Sequence, residues 1–205
     1  MRTVGPMTTT EHARIDWTGQ LLEQLTWHWN HQARARLDGL SDDEYFWEPV
    51  DGCWSVRPRG ESTAEVRAGT GTHVIEFAYP PPEPEPVTTI AWRLGHLLVG
   101  IYGDRQARHF GGAPVDYRSY DYPTTAADAL DRLDSAHTAW ITGVSTLDEH
   151  GLARPCGEPD FEQLPMAALI LHINRELIHH LAEVALLRDL YLRVGNTRLT
   201  TPTSR

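Results

Sequence analysis

Four long segments with helical periodicity constrain the fold of this chain more than any other feature of its sequence. In each segment, apolar residues recur at three- and four-residue steps, as they do on one face of an amphipathic helix. The first segment runs from about residue 10 to 37, and the later ones begin at Thr88 or Thr89, at Thr124 or Thr125, and at Pro165. Strands do not alternate with these segments, so we predict an all-α four-helix bundle.

The interval between the first two helices has a different composition. Gly39 is a typical stop for the first helix, and Ser41-Asp42-Asp43-Glu44 has the form of a capping box. Residues 49–86 contain several Gly and Pro, end in PPPEPEP and include the β-prone piece THVIEFAY. We predict a long loop or a short hairpin inserted between helices 1 and 2. The expected boundaries are a flexible N-terminus over 1–9, the bundle over 10–193 and a tail over 194–205.

Charge and cysteine content exclude several classes of function. The net charge of −10 repels phosphate backbones, and no Arg cluster is present, so we expect no nucleic-acid partner. We find neither a signal-peptide core nor an apolar run long enough for a membrane span, and we therefore expect a cytoplasmic protein with no membrane association. Cys53 and Cys156 are far apart in sequence, which fits a reduced compartment and leaves one disulfide open.

The fourth helix carries an unusual row of ionisable side chains. His172, Glu176 and His180 follow each other at four-residue steps, and His179 lies three residues after Glu176. Such steps place side chains on one face of a helix, and this face also holds Leu169, so it is expected to point inward. Buried ionisable groups are costly unless they are paired or bound to a metal.

A metal ion would account for this row. Glu176 and His180 can reach one cation, and His96, in the apolar run WRLGHLLVGIY of the second helix, is the natural third ligand. The glycine just before His96 permits close helix approach. Two imidazoles and a carboxylate leave coordination positions open, as in catalytic sites, and suit zinc first, with nickel or iron as alternatives. The competing interpretation is that Glu176 forms a plain ion pair with His180 or with groups near Arg175.

The sequence around these residues resembles the sequence motifs of the DinB superfamily. The matching pieces are RLGHLL, NRELIHHLAEVALLRDLY and EYFWEPVDGCWSVR, and the resemblance covers roughly residues 15–192. It implies a four-helix bundle with a divalent cation, whose ligand positions fall on His96, Glu176 and His180. The commonest form of the family has His where this chain has Glu176. The Glu variant resembles the mycothiol-dependent maleylpyruvate isomerase branch.

The resemblance also carries expectations about function. It implies a metal-dependent enzyme that activates a low-molecular-weight thiol, such as mycothiol, for transfer to a small-molecule substrate or for its isomerisation. A metal-assisted hydrolase is the first alternative. A non-catalytic, metal-binding stress-response protein is the second, with His172 as the supplier of a fourth ligand. Related bundles commonly pair, so a homodimer is a further expectation.

Three more residues are candidates for the pocket or for contacts to the metal ligands. His172 lies one turn before Glu176, while His28 and Trp54 lie in aromatic-rich stretches of the sequence. For His28 and Trp54, packing in the core is the favoured interpretation. His179 is rotated by about 100° from His180, so we expect it to face a neighbouring helix or solvent.

Overall fold

The computed structural model describes residues 14–195, and within this range the chain is mostly helical with one small sheet. This confirms the predicted helical character. The predicted flexible segment 1–9 and residues 196–205 of the predicted tail lie outside the described residues.

The helices follow one another in the expected order. Helix α1 covers Trp17–His28 and continues through a π-helical turn, Trp29–Ala33, and a 3-10 turn, Arg34–Leu37. Helix α3 covers Ile90–His96 and passes through a wide turn, Leu97–Gly103, into α4, Asp104–Phe110. The remaining helices are α2, Asp42–Tyr45; α5, Ala126–Ser145; α6, Glu149–Ala153; and α7, Met166–Leu190, extended by a π-helical turn, Tyr191–Gly195.

The first helix was predicted from about residue 10, but residues 14–16 are not helical and it begins at Trp17, after the cap Asp16. Several of the other predicted boundaries are formed by local capping. The side chains of Ser41, Thr89 and Thr125 each accept a hydrogen bond from the backbone N–H three residues later, which satisfies a donor that the helix leaves free. Gly39 has φ of +71°, a conformation that suits glycine after the end of a helix. Pro165 directly precedes α7.

A three-stranded antiparallel sheet occupies the interval in which a loop or a short hairpin was predicted. Strand β3, His73–Phe77, lies between β1, Val56–Pro58, and β2, Val66–Ala68. The sheet has one strand more than the predicted short hairpin. The physical reason is that both Val74 and Ile75 are buried, so that the strand needs a partner on each edge to satisfy its backbone groups.

Hydrogen bonds between α1 and α7 show the relative direction of these two helices. Near the start of both helices, the side chain of Asn174 donates to the carbonyl of Leu21 over 2.9 Å. Near their ends, Arg36 donates to Asp189 over 2.7 Å. Helices α1 and α7 are therefore parallel.

The other two long segments run the opposite way. Arg93 pairs with Glu183 and the His96 ring contacts the His180 ring, so α3 and α4 are antiparallel to α7. Helix α5 is antiparallel to α1, since Thr18 bonds to the carbonyl of residue 147 and residue 34 bonds to residue 134. The core between these segments is formed by fully buried apolar side chains, among them Leu25, Leu94, Leu133, Trp140, Ile173 and Leu177.

Candidate metal centre

His96, the last residue of α3, is fixed by aromatic neighbours. Its Nδ1 is 2.6 Å from the hydroxyl oxygen of Tyr117, and its ring stacks on Trp92 with 5.4 Å between centroids. Gly100 makes room for this contact, because a Cβ there would lie 2.2 Å from the Tyr117 hydroxyl. Burial, with a smaller contribution from the neighbouring His180, lowers the pKa of His96 to about 3. The imidazole is therefore neutral at pH 7, the form that binds metals.

His180 faces His96 across the interface between α3 and α7. The two ring centroids are 4.9 Å apart with the planes inclined by 79°. Nδ1 of His180 is 2.9 Å from a carboxylate oxygen of Glu183, to which it donates. Burial lowers the pKa of His180 as well, although Glu183 acts against this. A hydrogen bond from Nδ1–H to a carboxylate is the usual way in which a metal-binding histidine is oriented.

Glu176 lies one turn before His180. Its Oε2 is 3.8 Å from Nε2 of His180, and its Oε1 is 3.5 Å from Nδ1 of His172 and 3.4 Å from the Arg175 guanidinium. The side chain is only 24% exposed. His180 is thus close to both of its predicted partners, His96 and Glu176.

The chemistry of these donor atoms fits a divalent cation. Within residues 14–195, Nε2 of His96 and Nε2 of His180 form no hydrogen bond, whereas both Nδ1 atoms do. His180 donates from Nδ1 to a carboxylate, so its neutral ring presents a lone pair at Nε2. The His96 ring presents one in the tautomer that donates from Nδ1 to the Tyr117 oxygen. Two such nitrogens and the Glu176 carboxylate form a nitrogen- and oxygen-donor set of the kind that zinc accepts. The ligand set itself stays a prediction.

The predicted ligands His96, Glu176 and His180 do not all lie within 4.8 Å of one another. Within residues 14–195, a different group, on α7, is the only one that meets this condition. Ligand atoms of His179, His180 and Glu183 all lie within 4.8 Å of one another. His179 is 60% exposed, as expected for a residue facing solvent, and its Nε2 is 3.4 Å from Glu183. The Glu183 carboxylate is already paired with Arg93, whose positive charge opposes a cation at this position. The two groups share His180 and differ in which residues complete the set.

The three additional candidates lie in different surroundings. His172 is half-buried and lines a cavity of about 550 Å³ beside Glu176. His28 is buried and bonds to Gln32 over 2.9 Å. Trp54 is also buried, and its backbone bonds to Val87 and Thr89 tie the inserted segment to the start of α3. These positions agree with packing for His28 and Trp54, and a pocket role for either residue stays a prediction.

Both cysteines are buried and free, so the structure contains no disulfide between Cys53 and Cys156. Burial raises the pKa of the Cys53 thiol. The thiol form is therefore favoured, and Cys53 is not activated as a nucleophile.

Sequence reasoning missed three residues that surround the candidate ligands. Glu183 and Arg93 lie three residues from His180 and His96 respectively, so helical spacing alone would have placed them on the same faces. Tyr117 lies in the loop between α4 and α5, and no spacing rule connects it to His96.

A family model of the DinB superfamily matches residues 24–184 of the chain. No curated protein and no solved structure matches it. Among residues 14–195, none of the helices combines the length and the apolar character needed to cross a membrane.

Proposed function

The chain belongs to the DinB superfamily, and on this premise we propose that it is a divalent-metal-dependent enzyme. Its metal is held by His96, Glu176 and His180, inside a four-helix bundle made of α1, α3 with α4, α5 and α7. Zinc is the proposed metal because the donors are two nitrogens and one oxygen.

One observation carries this proposal. Two neutral imidazoles from different helices meet at 4.9 Å, each with Nδ1 engaged in a hydrogen bond and Nε2 without one among the described residues. A lone pair at Nε2 that no protein group uses is what a divalent cation binds. The Glu176 carboxylate, 3.8 Å from Nε2 of His180, adds the negative charge that a cation site needs.

We further propose that the co-substrate is a low-molecular-weight thiol of the mycothiol type and that the reaction is a transfer or an isomerisation. A bound divalent cation stabilises a thiolate and lowers the pKa of water. The chain's own residues prepare the centre. Tyr117 and Glu183 fix the two rings, and Trp92 covers one face of His96. The resemblance of the Glu176 variant to thiol-dependent members of the family supports this choice.

Metal analysis of four variants tests the ligand set. Each full-length protein is loaded with zinc, dialysed and assayed for bound metal and for helicity. We expect His96→Ala, Glu176→Ala and His180→Ala to lose stoichiometric zinc while staying helical. His179→Ala is the matched control and should retain it, because His179 belongs only to the exposed group. Loss of zinc in His179→Ala together with retention in His96→Ala would assign the site to the exposed group instead.

The thiol is tested separately with cobalt in the site. Addition of mycothiol should produce a sulfur-to-cobalt charge-transfer band in the wild type and none in His96→Ala. Cleavage of esters or amides that depends on metal but not on thiol, with no spectral response to thiol, would replace the thiol enzyme by a hydrolase.

A further inference from the structure

A cavity of about 550 Å³ lies between α4, the first half of α7 and the segment that precedes α7. This volume is typical of sites for small organic molecules. Part of its wall is apolar and is formed by Phe161, Leu164 and Leu169. A ligand that fills the cavity would therefore bury an apolar body.

Another part of the wall is basic. Arg105, Arg108 and Arg175 line it, together with two carboxylates, Asp104 and Glu158. The wall has three guanidinium groups and two carboxylates, and the Glu176 carboxylate beside Arg175 balances the third positive charge. Guanidinium groups gathered on one wall offer N–H donors to a carboxylate ligand.

The wall carboxylates and Arg105 differ in how well they are paired. Asp104 accepts a hydrogen bond from Arg108 over 2.8 Å, and Glu158 lies 2.8 Å from the ring of His109. Arg105 is 3.5 Å from Glu158, and its Nε is buried with no hydrogen-bond partner in the described part of the chain. A buried donor without an acceptor is costly, so the protein's own groups leave this guanidinium incompletely satisfied.

The cavity adjoins the candidate metal centre directly. Two of its wall residues contact a predicted metal ligand, since His172 and Arg175 lie 3.5 Å and 3.4 Å from Oε1 of Glu176.

We propose that this cavity binds the substrate of the metal centre and that the substrate is a small organic monocarboxylate with an apolar body. The carboxylate binds to the guanidinium groups of Arg105 and Arg175, which offer paired N–H donors, and the body packs on Phe161, Leu164 and Leu169. Because the charges around the cavity are otherwise balanced, it suits a monoanion better than a dianionic phosphate. The assignment of this ligand as the substrate rests on the proposed function, whereas its binding to the cavity does not.

Calorimetric titration with two probes of equal shape tests the proposal. Wild-type protein, metal-free and zinc-loaded, is titrated with 4-phenylbutyrate and with its uncharged amide, 4-phenylbutanamide. We expect the carboxylate to bind at least about tenfold more tightly than the amide. Arg105→Gln and Arg175→Gln should each weaken the carboxylate about tenfold and leave the amide unchanged. Arg118→Gln, an exposed residue outside this wall, is the control and should bind both probes as the wild type does.

The Arg175 variant and one further variant keep the test decisive. Arg105 also donates to the carbonyl of Gly100, so its variant can lose structure, but Arg175 is 69% exposed and its replacement leaves the fold intact. Ala168→Phe fills the cavity and should abolish binding of both probes. Equal affinity for carboxylate and amide, no measurable binding of either, or unchanged affinity in both arginine variants would overturn the proposal.

Metal content separates this inference from the function on which it builds. Zinc bound stoichiometrically through His96, without preference for the carboxylate, would refute only the cavity ligand. Carboxylate binding in a chain that holds no metal would support the cavity site and refute the metal-dependent function.

Discussion

Removal of one hydroxyl group should weaken metal binding without disturbing the fold. In Tyr117→Phe, the ring keeps its packing against Phe77, at 6.0 Å between centroids, but His96 loses the 2.6 Å bond at Nδ1. Burial raises the pKa of Tyr117 to about 12, so the group removed is a neutral phenol. Partners of this kind change metal affinity by about 10- to 100-fold, which corresponds to about 1.4 to 2.8 kcal/mol.

The assay is competition for zinc with a chromophoric chelator, accompanied by urea unfolding. Tyr122→Phe is the matched control, because its hydroxyl donates to the carbonyl of Tyr117 over 3.1 Å and does not contact His96. We expect the zinc dissociation constant to rise only in Tyr117→Phe. An equal rise in both variants would mean that the loop acts through its general stability, and no rise in either would refute the orientation of His96 by Tyr117.

Two predictions concern stability. His137 is buried against Trp29 and its pKa is lowered to about 4, mainly by burial, so stability is full above pH 6.5 and is lost as the pH falls towards 4. Between pH 7 and pH 5, the free energy of unfolding of the metal-free wild type, measured in urea, should fall by about 2 kcal/mol more than that of His137→Gln. Equal decreases would contradict this prediction. Arg188→Ala should lower the free energy of unfolding by about 3 to 5 kcal/mol in the same assay. It leaves the buried Glu44 carboxylate without the guanidinium that lies 2.6 Å from it. The control Arg36→Ala, which removes an exposed ion pair, should cost less than about 1 kcal/mol.

The helical part of the fold follows from local signals in the sequence. The starts at Thr89 and Thr125 and the stop at Gly39 depend on single residues that satisfy or end a helix, so sequence alone identifies them. Strand β3 was visible as a β-prone piece, but its two partners are short and lie 17 and 7 residues before it at their starts. Pairing of such strands depends on burial in the folded chain, which sequence periodicity does not report.

The candidate site likewise has one part that the sequence predicts and one part that it does not. Glu176 and His180 share a helical face, and their proximity follows from the four-residue step between them. The glycine before His96 was expected to allow close approach of a helix. Instead, the nearest atoms to a Cβ at Gly95 belong to Tyr122 and Val56, so it makes room for the loop and the sheet. Contacts between distant segments, such as these, are set by tertiary packing.

The presence of Glu at position 176 has an explanation in the charges around it. The resemblance implies His at this position in the commonest form of the family, yet here Arg93 and Arg105 both lie close enough to lower the pKa of His96. If residue 176 were a neutral His, a divalent cation in the site would add its full positive charge beside the guanidinium groups of Arg93 and Arg105. The Glu176 carboxylate offsets part of that charge, and its second oxygen contacts the side chains of the cavity wall. One residue therefore links the electrostatics of the proposed metal centre to those of the cavity, and replacement by His would alter both.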